Sequence, residues 1–453
     1  MEKLSILECV VPGYTQRYLS GQYSLEEMPL LDAITTKYEE QLRNLDMSNI
    51  YLIACQHMLE PQLRMFKKLI ALGFRAQNIF ILPKVYSANE SVMRDLEKLG
   101  LTIFRDALNF PLDQSFDLFH QKQCQKVLAF TIQNLVGAKK LLLLDDGGIL
   151  IKTFYSNKAF IKQFKNKTFA TEQTASGKNI LLKSELPFFV DSVASSIEKI
   201  QIETVYIVRL CSERVQEYFV FHAIPMTAKI LIKGLGPIGQ TLYEDLSSKG
   251  YDCVGYDKNQ GKFKNSLDSF DVIIGATGAS IVHQEHISEF KRGCHLISVS
   301  SSDREFPSPY LRSHASTGLG IHETFWNKRH DVYLANGGFP ITFKGNRIEC
   351  QLLEMDVTKM KLLESMLNNI IDNREVKSSV NILYPDLWLK QNVKWIYVWW
   401  VTMALLSVLK ISLLGMGKLE LGSVFWYLFM VLILSSPILG VRFFRFYKRL
   451  ERY

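Results

Sequence analysis

One stretch of the sequence limits the possible folds more than any other. The apolar run Lys229–Lys233 leads into Gly234-Leu235-Gly236-Pro237-Ile238-Gly239, and an amphipathic stretch then continues to residue 250. A second apolar run, 253–256, ends at Asp257. This is a G-x-G-x-x-G turn between a strand and a helix, with an acidic residue at the end of the next strand. The pattern predicts a parallel β-α-β unit of the dinucleotide-binding kind.

Each glycine of this turn has its own predicted role. The first allows the tight turn, the second lets the backbone approach a pyrophosphate, and the third lets the helix pack on the strand. Asp257 is placed to accept hydrogen bonds from the adenosine ribose, which favours NAD over NADP. A Walker-type phosphate loop is excluded because Gln240 stands where that loop needs Lys. The predicted cofactor-binding residues of this loop are Gly234, Gly236, Pro237, Ile238, Gly239 and Asp257, joined by Thr277 after the strand 271–276. The alternative is a domain that kept the turn and lost the ligand.

The rest of residues 1–389 alternates apolar, strand-like runs with amphipathic helical runs, which is typical of an α/β protein. Residues 49–55 and 78–82 are predicted strands around a helix over 61–72, which starts with Pro61. The buried run 141–144 is a further predicted strand and ends in Asp145-Asp146-Gly147-Gly148. A helix is also predicted near residues 355–371.

Charge is unevenly distributed along the chain. The formal net charge is +8, and residues 390–453 contain nine Lys and Arg but only two Glu. The remaining residues are nearly neutral, which does not favour a nucleic-acid-binding protein. The seven Cys are widely spaced without a C-x-x-C pair, so neither a disulfide framework nor a metal site is predicted.

The C-terminal segment contains two apolar runs long enough to span a bilayer, 395–414 and 421–441. Only Lys410 is charged within them. The sequence therefore predicts a multi-pass membrane protein with two spans, in which both flanks and residues 1–389 face the cytoplasm because Lys and Arg concentrate there. Membrane lipid is accordingly an expected partner. The alternative is a pair of buried core helices.

The order of motifs over roughly residues 45–370 resembles that of the S-adenosylhomocysteine hydrolase (adenosylhomocysteinase) family. The sequence Leu-Asp-Asp-Gly-Gly at 144–148 matches a motif of that family, and the glycine loop at Gly234 occupies the position of its NAD loop. Further similar segments are Ala54-Cys55-Gln56-His57-Met58, Thr171-Glu172-Gln173-Thr174-Ala175-Ser176-Gly177, Asp191-Ser192-Val193 and His286-Ile287-Ser288-Glu289-Phe290.

The resemblance implies a reaction in which a permanently held NAD oxidises the ribose 3′-hydroxyl, homocysteine is eliminated, water adds, and the ketone is reduced again. It implies catalytic roles for His57 and Asp146 and adds Thr174 to the cofactor-binding residues. Three positions where the family has Glu, Lys and His are occupied by residues that cannot act as bases near neutral pH: Gln173, Ser195 and Ser301.

Lys199 is predicted to share a helix face with position 195, so it is a candidate to replace the lost Lys. His57, Asp146 and Lys199 are thus the predicted catalytic remnants. The alternatives are that His57 is an ordinary loop histidine and that Asp145 and Asp146 cap a turn.

The predicted fold is a Rossmann-type NAD domain inserted in a discontinuous α/β substrate-type domain, followed by two transmembrane helices. The predicted boundaries are 1–195 for the substrate-like domain, 196–345 for the NAD domain, 346–389 for the segment returning to the first domain, and 390–453 for the hairpin with its basic tail.

Three functions remain open at the level of sequence. The favoured interpretation is a membrane-anchored, NAD-binding protein without hydrolase activity that acts as a sensor or regulator. The second is an active NAD-dependent enzyme acting on S-adenosylhomocysteine or a related nucleoside. The third is a structural scaffold with an empty cleft. A nucleotide or nucleoside ligand and a homo-oligomeric assembly are the remaining expected partners.

Overall fold

The computed structural model describes residues 5–371, except Val136, Lys165, Glu185, Ser195, Lys262, Lys264 and Leu319. Both predicted membrane spans and the whole predicted hairpin, 390–453, lie outside the described residues. The same is true of Ser195 and of the last part of the predicted return segment.

The first half of the chain forms a six-stranded sheet in which every neighbouring pair is parallel. Its spatial order is β3-β2-β1-β4-β5-β6, the order of a doubly wound dinucleotide-binding fold. The strands are β1 Ile50–Met58, β2 Ile79–Ala88, β3 Thr102–Ile103, β4 Lys140–Asp145, β5 Thr168–Glu172 and β6 Phe189–Ser192.

A second six-stranded sheet follows in the order β11-β12-β10-β9-β7-β8. Its pairs are parallel except for the edge pair of β11 and β12. The strands are β7 Lys229–Lys233, β8 Asp252–Tyr256, β9 Val272–Gly275, β10 Cys294–Ser298, β11 Phe325–Asn327 and β12 Val332–Leu334. Two parallel-rich sheets with helical crossovers confirm the predicted α/β, Rossmann-type class. The domain boundaries stay a prediction.

The connections between strands are mostly helical, as parallel strands require. The helices are α1 Ser5–Val10, α2 Tyr14–Leu19, α3 Pro29–Leu42, α4 Glu60–Ala71, α5 Glu90–Lys98, α6 Phe116–Asn134, α7 Ile149–Ser156, α8 Lys158–Phe164, α9 Ala175–Leu181, α10 Ile197–Lys199, α11 Val205–Phe221, α12 Pro237–Ser248, α13 Ser308–Ser313 and α14 Leu352–Ile371. A π-helical turn, Ile200–Thr204, joins α10 to α11.

The last described helix, α14, packs on the first sheet although it follows the second sheet in sequence. Near its C-terminal end, the Lys140 ammonium at the start of β4 donates to the carbonyl oxygen of Asn369 at 3.1 Å. Further back along the helix, Ser365 shares a 2.8 Å hydrogen bond with Thr171 in β5. Asn369 lies at the beginning of the strands and Ser365 lies nearer their ends. The helix therefore runs antiparallel to the strands. Its N-terminal half therefore lies near the carboxyl edge of the sheet.

The predicted membrane localisation requires a correction. Within the described parts of 5–371, no helix is both long and apolar enough to cross a bilayer. The longest of them, α14, has 20 residues but contains charged side chains such as Asp356 and Lys359.

Candidate functional site

The first sheet reverses its winding direction between β1 and β4, so a crevice opens at the carboxyl ends of these two strands. Open α/β sheets bind ligands at such switch points. Here, β1 ends with His57 and Met58, and Asp146 directly follows β4. Lys84 lies in β2, next to β1. Sequence reasoning placed His57 and Asp146 in one site, and the structure brings them together.

The centre of this site is an ion pair between Lys84 and Asp146, with side chains that are only 5% and 3% exposed. Burial alone would raise the pKa of Asp146, but the Lys84 ammonium and the His57 ring hold it well below its usual range. Burial likewise opposes the charge on Lys84, while Asp146 keeps the pKa of the ammonium well above its usual value. Both groups are therefore charged at neutral pH.

His57 is held in place from three sides. Its Nε2 lies 3.3 Å from Asp146 Oδ2, its Nδ1 is hydrogen-bonded to Ser87 Oγ, and its ring stacks on Phe343 at 4.9 Å between centroids. Burial lowers the pKa of the imidazole, and Asp146 offsets this only in part. A neutral ring with its proton on Nε2 donates to Asp146 and accepts from Ser87. Both ring nitrogens of His57 therefore have protein partners, and its catalytic role stays a prediction.

Lys199, the third predicted catalytic residue, lies at the edge of the same crevice. Its ammonium donates to the carbonyl oxygen of Gln173 at 2.7 Å and pairs with Glu203 at 3.6 Å. Gln173 follows β5, so Lys199 is attached to the strand end next to Asp146. The π-helical turn that contains Glu203 re-aims the helix here, and such turns are frequent at functional sites.

Asp145 and Glu172 lie side by side at the ends of β4 and β5 and form a different arrangement. Glu172 Oε1 accepts from the backbone of Gly147 at 3.1 Å and of Thr174 at 2.7 Å, while Asp145 Oδ2 accepts from Ile151 at 2.9 Å. Burial raises the pKa of both carboxyls, that of Asp145 to about 7. The pair fixes the two glycine-containing loops that border the crevice, so its role is structural. Asp145 thus fits the turn-stabilising alternative, whereas Asp146 does not.

The predicted dinucleotide loop has the geometry that its sequence requires. Gly234 has φ +98°, and a Cβ there would lie 2.8 Å from the backbone of Ala276. A Cβ on Gly239 would lie 1.8 Å from the carbonyl oxygen of Gly234, so only glycine permits this contact. Next to Gly236 the space is open to 4 Å, at the N-terminus of α12, where Gly236 makes no side-chain cap. Open space beside free helix N–H groups fits a pyrophosphate.

Asp257 lies at the end of β8, on the edge of this loop. Its carboxylate accepts from the backbone of Leu235 at 3.1 Å and of Asn259 at 3.2 Å. These hydrogen bonds lower the pKa of the exposed carboxyl. Because an ionised carboxylate has about four acceptor positions, it can still accept from a ribose hydroxyl. The residues present therefore fit an NAD molecule.

The two predicted threonines have protein partners. The Thr174 hydroxyl donates to Glu172 at 2.7 Å and accepts from Gly177, capping α9. The Thr277 hydroxyl donates to Glu305 Oε2 at 2.8 Å, and the backbone of Thr277 donates to Glu305 Oε1 at 2.7 Å. Both therefore shape loops around the cleft, and their contact with a cofactor stays a prediction. Pro237 and Ile238 open helix α12 beside the glycine loop.

Arg304 joins the carboxyl edges of the two sheets. Its guanidinium donates to Ser176 Oγ, after β5, at 3.3 Å and to the carbonyl oxygen of Gly278, after β9, at 3.4 Å. A 2.8 Å ion pair with Asp117 at the start of α6 fixes it further. Arg304 therefore links the loop after β5 to the loop after β9, at the carboxyl edges of the two sheets.

Sequence reasoning missed four residues of this cleft: Lys84, Arg304, Glu305 and Lys359. Lys84 was missed because the predicted strand ends at residue 82, whereas β2 continues to Ala88. The signal that could have found Lys84 is its position two residues after the predicted end of the strand. Among the described residues, no group of three or more His, Cys, Asp or Glu could hold a metal ion.

Comparisons with known proteins give a limited result. No family model matches the chain. Uncharacterized proteins from two strains of Mycobacterium tuberculosis are 29% identical to it over 348 residues, which is 75% of this chain and 67% of theirs. The resemblance to S-adenosylhomocysteine hydrolase therefore stays a prediction.

The solved structures that match are more distant. A dipicolinate synthase from Bacillus halodurans is 11% identical, with a TM-score of 0.36, over 72% of this chain and 100% of that chain. The dipicolinate synthase from Bacillus subtilis is 12% identical, with a TM-score of 0.30, over 72% and 97%. The pyruvate reductase of Chlamydomonas reinhardtii is 14% identical, with a TM-score of 0.31, over 73% and 99%. At these TM-scores the matches add nothing to the assignment of a function.

Proposed function

We propose that the protein is an NAD-dependent oxidoreductase that reversibly oxidises a hydroxyl group of a small nucleoside-like substrate. One observation carries this proposal. A buried, charged Lys84–Asp146 pair with an attached imidazole lies at the switch point of one sheet, and Arg304 links the carboxyl edge of that sheet to the sheet that carries the glycine loop. Charged groups are rarely buried without a function or a partner, and perturbed groups cluster at active sites.

The glycine loop suits the binding of NAD, and the Lys84–Asp146 pair suits the binding of the substrate hydroxyl. NAD, when bound, supplies a hydride acceptor. The free N–H groups of α12 and the open space at Gly236 would hold its pyrophosphate, and Asp257 its ribose. The adenosine-like part of the substrate is proposed only from the motif resemblance.

At the other side, Lys84 can stabilise the negative charge that develops on the substrate oxygen. Asp146 keeps the ammonium charged and fixes it, and His57 is fixed by the same carboxylate. Preorganised charges in a site that excludes water contribute more to transition-state stabilisation than the same charges in water. Glu172 and Asp145 hold the loops and take no part in the reaction.

The experiment uses the purified chain with NAD, first with adenosine and then with S-adenosylhomocysteine, and follows the absorbance of the reduced nicotinamide. We expect substrate-dependent reduction that is lost in Asp146→Asn and retained in Asp252→Asn, an exposed control on β8. Reduction that persists in Asp146→Asn would contradict the proposed roles.

A second candidate is an NAD-binding sensor without turnover. It is favoured by Gln173 and Ser301, which stand where the resemblance places ionisable groups. The same experiment separates the two candidates, because a sensor binds the nucleotide without reducing it. A protein that binds no nucleotide would contradict both.

A further inference from the structure

We propose that Lys359 of helix α14 is a further catalytic residue, the proton acceptor for the substrate hydroxyl in the reaction proposed above. This inference rests on the proposed function and adds a residue that no motif of the sequence contains. In this step the O–H bond of the hydroxyl breaks and its proton passes to the neutral Lys359 amine. The carbon that bears the hydroxyl gives its hydride to the nicotinamide, and its C–O bond becomes C=O.

The position of Lys359 follows from the contacts of α14 on either side of it. Ser365 meets Thr171 near the end of β5, and Thr358 donates a hydrogen bond to Glu203 in the π-helical turn. Because Glu203 also pairs with Lys199, the segment around residue 359 lies beside the strand end that carries Gln173. The helix therefore brings Lys359 to the carboxyl edge of the first sheet.

The side chain of Lys359 points into the protein. It is 1% exposed, and residues four, seven and eleven positions later, Leu363, Met366 and Ile370, belong to the hydrophobic core between α14 and the sheet. Residues at this spacing share one helix face. A lysine on such a face is rare, since long charged side chains are almost never fully buried without a partner.

The other basic groups of the site each have an ion-pair or hydrogen-bond partner. Lys84 is paired with Asp146, Lys199 donates to the Gln173 carbonyl oxygen, and both ring nitrogens of His57 have partners. Lys359, by contrast, makes no hydrogen bond or ion pair with any of the described residues. It is thus the amine of the cluster that can accept a proton without first losing a contact.

The electrostatic surroundings support this role. Burial lowers the pKa of Lys359 to about 8, so a useful fraction of the amine is neutral at neutral pH. The groups that act on it come from several packed elements: Glu203 and Asp146 raise the pKa, as does the thiol of Cys350, while Lys199 lowers it. His57 is close enough for the Lys359 charge to lower its pKa in turn. A general base works best when its pKa lies near the working pH.

Two measurements on the full chain test the proposal. In the first, NAD reduction with adenosine as the probe is followed against pH. The wild type should show a rising limb with a midpoint near pH 8. Lys359→Met and the permanently charged Lys359→Arg should each lose about 10²–10⁴-fold in rate, with nucleotide affinity unchanged. The control is Lys361→Met, on the same helix as Lys359, which breaks an ion pair with Glu198 of α10. It should keep both the rate and the rising limb.

The second measurement does not need turnover. Acetic anhydride is applied over a range of pH, and acetylation of Lys359 is read by mass spectrometry with and without adenosine. Half-maximal labelling near pH 8 and protection by adenosine are expected. If the wild type does not reduce NAD, the proposed function is contradicted, and the labelling of Lys359 still tests the present inference. Lys359→Met with wild-type rate and pH limb would overturn the present inference, as would a Lys359 that adenosine does not protect.

Discussion

The Lys84 ammonium and the Asp146 carboxylate form an ion pair across β2 and β4, with β1 between them, and neither side chain is more than 5% exposed. The pair lies at the point where the first sheet changes its winding direction. The stability of this ion pair therefore depends on each partner remaining charged, and the proposed function depends on it as well.

Removing one partner of this pair should be more costly than removing both. Lys84→Met leaves the Asp146 charge buried and should lower the free energy of unfolding by about 3–5 kcal/mol. The double variant Lys84→Met/Asp146→Asn should recover much of that loss, because no isolated charge remains. Denaturant unfolding of the wild type, both single variants and the double variant measures the coupling. Additive losses would show that the two groups do not interact.

The buried Asp145 carboxyl should make stability depend on pH. Burial raises its pKa to about 7, above the value of about 4 in an unfolded chain, so the folded state binds this proton more tightly. The resulting stabilisation is fully present below about pH 4 and is lost as the pH rises through 7.

Asp145→Asn should weaken that dependence, and the part that remains belongs to Glu172, whose pKa burial also raises. The amide oxygen can still accept from Ile151, and the variant should exceed the wild type in stability above pH 7 by an amount on the order of 1–3 kcal/mol. Thermal unfolding across this range, with Asp252→Asn as the exposed control, tests the claim. A pH dependence identical to that of the wild type would refute it.

The buried Lys359 should reduce stability, as proposed catalytic groups often do. Its pKa falls from 10.5 to about 8 on folding, so the unfolded state binds this proton more tightly. The destabilisation is fully present below pH 8 and disappears as the pH approaches 10.5. Lys359→Met should therefore raise the unfolding free energy by an amount on the order of 1–3 kcal/mol at neutral pH and by nothing at high pH. Lys361→Met should instead lower it, because it leaves the Glu198 carboxylate without its ion-pair partner.

The sequence predicted those parts of the site that depend on local rules. The roles of Gly234 and Gly239 follow from backbone geometry within one β-α-β unit, and the observed contacts agree with them. Asp146 was found through the resemblance of residues 144–148 to a family motif, and this segment follows a clearly apolar strand. Lys84 and Lys359 were not found, because the predicted strand ended at residue 82, before Lys84, and no motif surrounds Lys359. The two lysines belong to one site only because the tertiary fold brings α14 to three strand ends, and local sequence patterns do not show this.

The glycine loop gives the most direct test of the central claim, that NAD binds at the N-terminus of α12. Titration of NAD into purified wild type, Gly236→Val and Gly239→Ala, together with thermal unfolding of each, separates binding from folding. A Cβ at position 236 would meet no atom within 4 Å, so Gly236→Val should still fold, while its affinity for NAD falls about 10–100-fold. Gly239→Ala would place a Cβ 1.8 Å from the Gly234 carbonyl oxygen and should lose about 2 kcal/mol or more of stability. Saturable NAD binding by the wild type that is weakened by this factor in the folded Gly236→Val protein is the predicted result, and equal binding by both, or none by the wild type, would contradict the account.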